Sequence, residues 1–99
     1  MSDAEITHTN APLQVCLYGH DACCLCDEAE AMLRALQLEY SFEVQKIDVR
    51  ADEQWANLRC HIPVVTINGS HRVALRITPQ RLRRAFDRAL LRRKNLETP

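Results

Sequence analysis

The stretch Leu17-Tyr18-Gly19-His20-Asp21-Ala22-Cys23-Cys24-Leu25-Cys26 joins an apolar run to an acidic, helix-patterned segment and places two cysteines three residues apart at the join. Upstream, residues 14–18 (Gln-Val-Cys-Leu-Tyr) form a short apolar run stopped by Gly19, the pattern of a buried strand in which Cys16 acts as a small core residue. Downstream, from about residue 24 to 38, Leu25, Ala29, Met32, Leu33 and Leu36 recur at helical spacing. Asp27, Glu28 and Glu30 lie near the start of that segment, where the helix dipole favours acids, and Asp21 is the expected N-cap. Residues 42–49 are rich in β-branched and aromatic side chains and read as a second strand. Strand, helix and strand together make a βαβ unit, in which the strands run parallel with a right-handed crossover.

The rest of the chain completes a small sheet. Residues 52–59 form a short helix candidate with Trp55 and Leu58 on its apolar side, and Pro63 stops it from continuing. Residues 64–67 and 71–76 flank Asn68-Gly69, the pair suited to a tight type I′ turn, which predicts an antiparallel hairpin. Thr78-Pro79 supplies a cap followed by proline in the first turn of a last helix, with Leu82, Ala85, Phe86, Ala89 and Leu90 as its buried stripe and an end near Arg93. The order βαβ, helix, ββα predicts an α/β fold: a four-stranded mixed sheet with helices on both faces. The expected organisation is a flexible arm over residues 1–12, one domain over 13–93 and a tail over 94–99.

A C-x-x-C pair at a helix start has a specific chemistry. The nucleophile and the metal ligand are both thiolates, and the free amides and positive dipole end of a helix N-terminus favour that form. Cys23 is therefore the expected attacking sulfur. Cys26, one turn on along the same helical face, can reach back to displace a partner from a mixed disulfide. Asp27 and Glu28 oppose further negative charge beside the pair. Cys24 points off this axis and reads as an exposed accessory thiol. A zinc site would require a second ligand pair at matching spacing, which the chain lacks. Cys60 and His61 precede Ile62-Pro63, and were they to approach the dithiol they could tune it or complete a metal or iron–sulfur site, the binding-module alternative. A third reading is an interaction protein whose thiols do little.

The quoted stretch and the acidic helix after it resemble the active-site entry of small glutaredoxin-like proteins, over about residues 15–90, and Ile62-Pro63-Val64 agrees with that resemblance. The resemblance implies a thioredoxin-like fold and thiol–disulfide oxidoreductase activity without a bound cofactor. It also implies a cis Pro63 opening the third strand beside the dithiol, and a backbone at Ile62 that binds the substrate chain. The substrate would be a protein disulfide or a low-molecular-weight thiol. Where glutaredoxins hold glutathione with a basic residue before the motif and a Gly-Gly-Asp element after the hairpin, this chain has Tyr18 and Ala74-Leu75-Arg76-Ile77-Thr78, so glutathione is not the expected ligand. Arg76 could pair with a carboxylate, although a solvated strand-end arginine is the plainer expectation.

Composition narrows the classes further. The chain has 99 residues, 46% hydrophobic and 26% charged, as in ordinary globular domains. Formal charge is zero, yet residues 1–57 hold eleven acids and three bases, and residues 58–99 hold ten bases and two acids, giving −8 and +8. The basic segment from Arg76 to Lys94 lacks interleaved aromatics, so nucleic-acid binding is not expected. Five cysteines, three of them within four residues, do not form the spread framework of a secreted disulfide scaffold. With no signal-like opening and no membrane-length apolar run, the expected location is the reducing cytoplasm.

Overall fold

In the computed structural model, residues 12–21 and 23–97 are described, with side chains through Arg92. The proposed N-terminal arm and the last two residues lie outside them, apart from Pro12. Strand β1 (Leu13–Gly19), helix α1 (Cys24–Leu36) and strand β2 (Phe42–Asp48) come first. A 3-10 helix η1 (Glu53–Leu58), strands β3 (Val64–Ile67) and β4 (His71–Ala74), and helix α2 (Pro79–Glu97) follow. The sheet order is β2-β1-β3-β4. β1 and β2 run parallel, with Leu17 beside Lys46 and Gly19 beside Asp48. β1–β3 and β3–β4 are antiparallel. This is the mixed α/β sheet of a thioredoxin-like fold.

Side-chain alternation in the strands sets the layers. Leu13, Val15 and Leu17 of β1 share one face with Val65, Ile67 and Val73, and Ala29, Leu33 and Leu36 of α1 and Leu82, Phe86 and Ala89 of α2 pack on that face. Both α-helices therefore lie on one side. The other side carries η1, whose Trp55 ring meets Tyr18 at 6.5 Å between centroids. Phe86 is the centre of an aromatic group, 4.9 Å from Tyr40 and 4.6 Å from Phe42. Around it, the Tyr40 hydroxyl donates to Asp87 at 2.8 Å, and Arg83 donates to both carboxylate oxygens of Glu39 at 3.0 and 2.9 Å. Desolvation and the neighbouring Asp87 push the Tyr40 phenol above its ordinary value.

Several expectations need correction. Cys16 is half-buried on the lightly covered face and is not part of the core. The apolar run predicts burial on both sides, but only η1 shields that side. Leu25 and Leu90 are exposed rather than buried, 58% and 38%, and Cys26 takes the inward position expected of Leu25. The segment at 53–58 winds as a 3-10 helix, capped by Asp52, which accepts from the Gln54 amide at 2.9 Å.

At the hairpin, Asn68 (φ 53°) and Gly69 (φ 74°) have the positive φ values expected. Ile67 nevertheless pairs with His71, so Ser70 is an extra loop residue and the turn is not a two-residue one. Asn68 is pinned to β1, its Oδ1 accepting from the Gln14 amide at 2.9 Å and its own amide donating to the Gln14 carbonyl at 2.7 Å. β4 ends at Ala74 instead of Arg76. Leu75 turns to φ 69°, and the Arg76 amide donates back to the Ala74 carbonyl at 2.7 Å. The Arg81 guanidinium donates to the carbonyls of Ala74 and Arg76, closing the bend from outside. Thr78 caps α2 as expected, accepting from the Arg81 amide at 3.1 Å, but the helix runs past Arg93 to Glu97.

Candidate functional site

The β1–α1 corner is built around sulfur. Cys23, not Asp21, is the N-cap of α1: its backbone is extended (φ −114°, ψ 109°) and its Sγ accepts the Cys26 amide at 3.3 Å. A side chain at this position takes one of the amides left unpaired at a helix start. Asp21 is exposed in the preceding loop, where its carbonyl lies 2.6 Å from His20 Nδ1. The cap is therefore supplied by the residue expected to be the nucleophile. Such a bond strengthens as the sulfur gains negative charge.

The two sulfurs sit in different surroundings. Cys23 is half-buried and Cys26 is buried, and both are free thiols. Burial, above all, pushes the Cys26 thiol up to about 11, with the side-chain hydrogen bond to Cys23 and the charges of Cys23 and Asp27 adding to it. The His20 backbone amide acts in the opposite sense. This asymmetry pairs an accessible sulfur with a protonated one behind it.

Gly19 is the site residue the sequence reading passed over. A Cβ there would stand 2.6 Å from Cys26 Sγ and 3.1 Å from its Cβ, so only glycine lets the end of β1 pass under the buried sulfur. A strand-ending glycine four residues before the helix cap signals a close backbone approach as well as a turn. Beside it, a cleft of about 230 Å³ is lined by residues including Gly19, His20, Cys26, Glu30, Lys46 and Asp48. Lys46 Nζ lies 2.9 Å from Glu30, and Arg34 lies 3.3 Å from it. Lys46 first, then Arg34, hold the Glu30 carboxyl below its usual range.

The remaining candidates divide. The Ile62-Pro63 bond is cis, Ile62 is half-buried and Pro63 is buried. Pro63 shares a narrow groove with Leu25 and Ala29, which puts the start of β3 beside the first turns of α1. Cys24 is the first residue of α1 and is exposed. Cys60 and His61 are exposed in the turn after η1, held by the His61 amide donating to the Leu58 carbonyl at 2.9 Å. Among the described residues no three His, Cys, Asp or Glu side chains gather closely enough to hold a metal ion, so the metal alternative that joined Cys23, Cys26, Cys60 and His61 finds no ligand cluster. Arg76 is exposed and has no ion pair among the described residues. No helix among them is long and apolar enough to cross a membrane.

With this geometry in place, the sequence matches the Glutaredoxin-like domain (DUF836) family over residues 14–94. The chain belongs to that glutaredoxin-like family. No curated protein matches it. A crystal structure of a protein of unknown function from Staphylococcus aureus is similar, with a TM-score of 0.58 and 20% identity over 81% of this chain and 93% of that one. At that identity the likeness concerns the fold.

Proposed function

We propose that this glutaredoxin-like protein is a thiol–disulfide oxidoreductase in which Cys23 attacks and Cys26 resolves. One observation carries the reading: Cys23 Sγ caps the helix whose first turn holds the buried Cys26. The Cys23 thiolate attacks one sulfur of a substrate disulfide, forming a mixed disulfide and releasing the other sulfur as a thiolate that takes up a proton. Cys26 then loses its proton and attacks Cys23 Sγ, and the second substrate sulfur leaves. The substrate gains two electrons and the Cys23–Cys26 pair becomes a disulfide, which a thiol reductant returns to the dithiol. Once Cys23 is bonded to substrate its charge is gone, so burial remains the chief restraint on Cys26 ionisation.

No bound cofactor is needed. Ile62, ahead of the cis Pro63, supplies backbone for the substrate chain, and Cys24, Cys60, His61 and Arg76 are accessory at most. The substrate is a protein disulfide or the disulfide of a low-molecular-weight thiol, and the chemistry suits a reducing cytoplasm.

In a turnover assay with dithiothreitol as reductant, Cys23→Ser is expected to abolish disulfide reduction. Cys26→Ser, reduced and then mixed with substrate after dithiothreitol is removed, should accumulate a mixed disulfide visible as a mass adduct on Cys23. Wild-type turnover in both variants would overturn the assignment.

A further inference from the structure

Beside the dithiol the surface combines two features that together describe a partner. The first is apolar. A narrow groove of about 30 Å³ runs between the first turns of α1 and the bend after β4, lined by residues including Leu25, Met32, Pro63, Leu75 and Ile77. Leu25 lies inside the C-x-x-C pair and is 58% exposed, and Leu75 across the groove is 72% exposed. A void this small takes the tip of one side chain, so anything larger must lie across the two leucines.

Leu75 is held where a leucine is disfavoured, at φ 69°. Glycine would adopt that backbone freely, and the Arg81 guanidinium fastens both sides of the bend through the carbonyls of Ala74 and Arg76. A non-glycine residue fixed in this region beside a reactive centre is an outlier of the kind that points to use of its side chain.

The second feature is charge. Asp21, Asp27 and Glu28 lie within five residues of Cys23 and are exposed, and Glu28 itself borders the groove. The nearby cations Lys46 and Arg34 are both engaged by Glu30. Arg76 adds one positive charge next to Leu75, against three carboxylates.

Building on the oxidoreductase reading, we infer that Leu25 and Leu75 form a docking surface for a polypeptide disulfide flanked by apolar and basic residues, and that the acidic rim disfavours anionic disulfides. An extended chain lying over Pro63 would press an apolar side chain between the leucines while its basic residues face the carboxylates around Cys23. Cys23, the attachment point of the mixed disulfide, caps the helical turn that carries Leu25, so docking and chemistry coincide.

The test measures kcat/KM of the full chain, with dithiothreitol as reductant, on three disulfides. These are a peptide whose disulfide is flanked by Leu and Lys, glutathione disulfide, and bis(2-hydroxyethyl) disulfide. The wild type should favour the peptide over glutathione disulfide by tenfold or more. Leu75→Gly and Leu25→Ala should each lower the peptide to hydroxyethyl ratio by three- to tenfold. Glu28→Lys should narrow the gap between peptide and glutathione disulfide. Leu75→Gly suits the local backbone, so loss of fold does not confuse the result. Turnover of all three disulfides with unchanged ratios in both leucine variants, or a preference for glutathione disulfide, overturns the docking surface and leaves the oxidoreductase reading standing. No turnover of any disulfide overturns both.

Discussion

Gly19 and Cys26 form the tightest constraint on the site. A methyl group at position 19 forces the Cys26 sulfur to rotate away or the helix and strand to separate slightly. Gly19→Ala is expected to cost about 1–3 kcal/mol, as overpacking does elsewhere, and to slow the resolving step by displacing the Cys26 sulfur. Urea unfolding would register the first effect, and decay of the mixed disulfide the second; an unchanged denaturation midpoint would mean that the contact relaxes freely. The same sulfur gives a pH signature. Its folded pKa is raised from the ordinary 9.0 to about 11, so between those values the folded state holds a proton that the unfolded state has released. Its contribution to stability is complete below pH 9 and is lost as pH climbs through 11. Unfolding free energies measured across that interval should decline in the wild type and decline less in Cys26→Ser; equal slopes would contradict the assignment. Little of this was legible from spacing. C-x-x-C located the pair, but which of Leu25 and Cys26 turned inward depended on the rotation of α1 about its axis, and that was set by the packing of Ala29, Leu33 and Leu36 against β1.

Elements were easier to read than their ends. Hydrophobic period fixed the order and type of the strands and both α-helices, because each buries one face against a common core. Ends depend on single side chains. Thr78 worked as a cap because a hydroxyl followed by Pro79 has few competing geometries. Thr78→Ala should lower stability by about 1 kcal/mol, read from the thermal or urea midpoint, and a change within a few tenths would show that the Arg81 amide finds another acceptor. At α1 the expected Asp21 cap was displaced by Cys23, a residue type outside the usual capping set. At β4 nothing in Ala74-Leu75-Arg76 announces a turn, since the positive φ at Leu75 is sustained by Arg81 six residues later. The 3-10 winding of η1 was equally hidden: its residues bury nothing fully, so no apolar stripe selects 3.6 residues per turn.

For the molecule as a whole, the halves of opposite charge map onto opposite sheet edges. β2 and α1 belong to the acidic half and β4 and α2 to the basic half, with β1 and β3 between them. The cross-connections Arg83–Glu39 and Tyr40–Asp87 join α2 to the turn after α1 where the halves meet. Layering was the least legible property, since the residue pattern named three helices without saying that the two long ones share a side. The consequence falls on the connection between β2 and β3. Every side chain from Arg50 to Ile62 is at least partly open to solvent, and Trp55 against Tyr18 is its one aromatic contact. This stretch can be lengthened where the interior cannot. Splicing a short glycine- and serine-rich segment between Ala51 and Asp52, ahead of the η1 cap, should lower the melting temperature by only a few degrees, whereas the same graft inside β3 should prevent folding. Equal tolerance of the two splices would mean that β3 holds the fold together no more than this connection does.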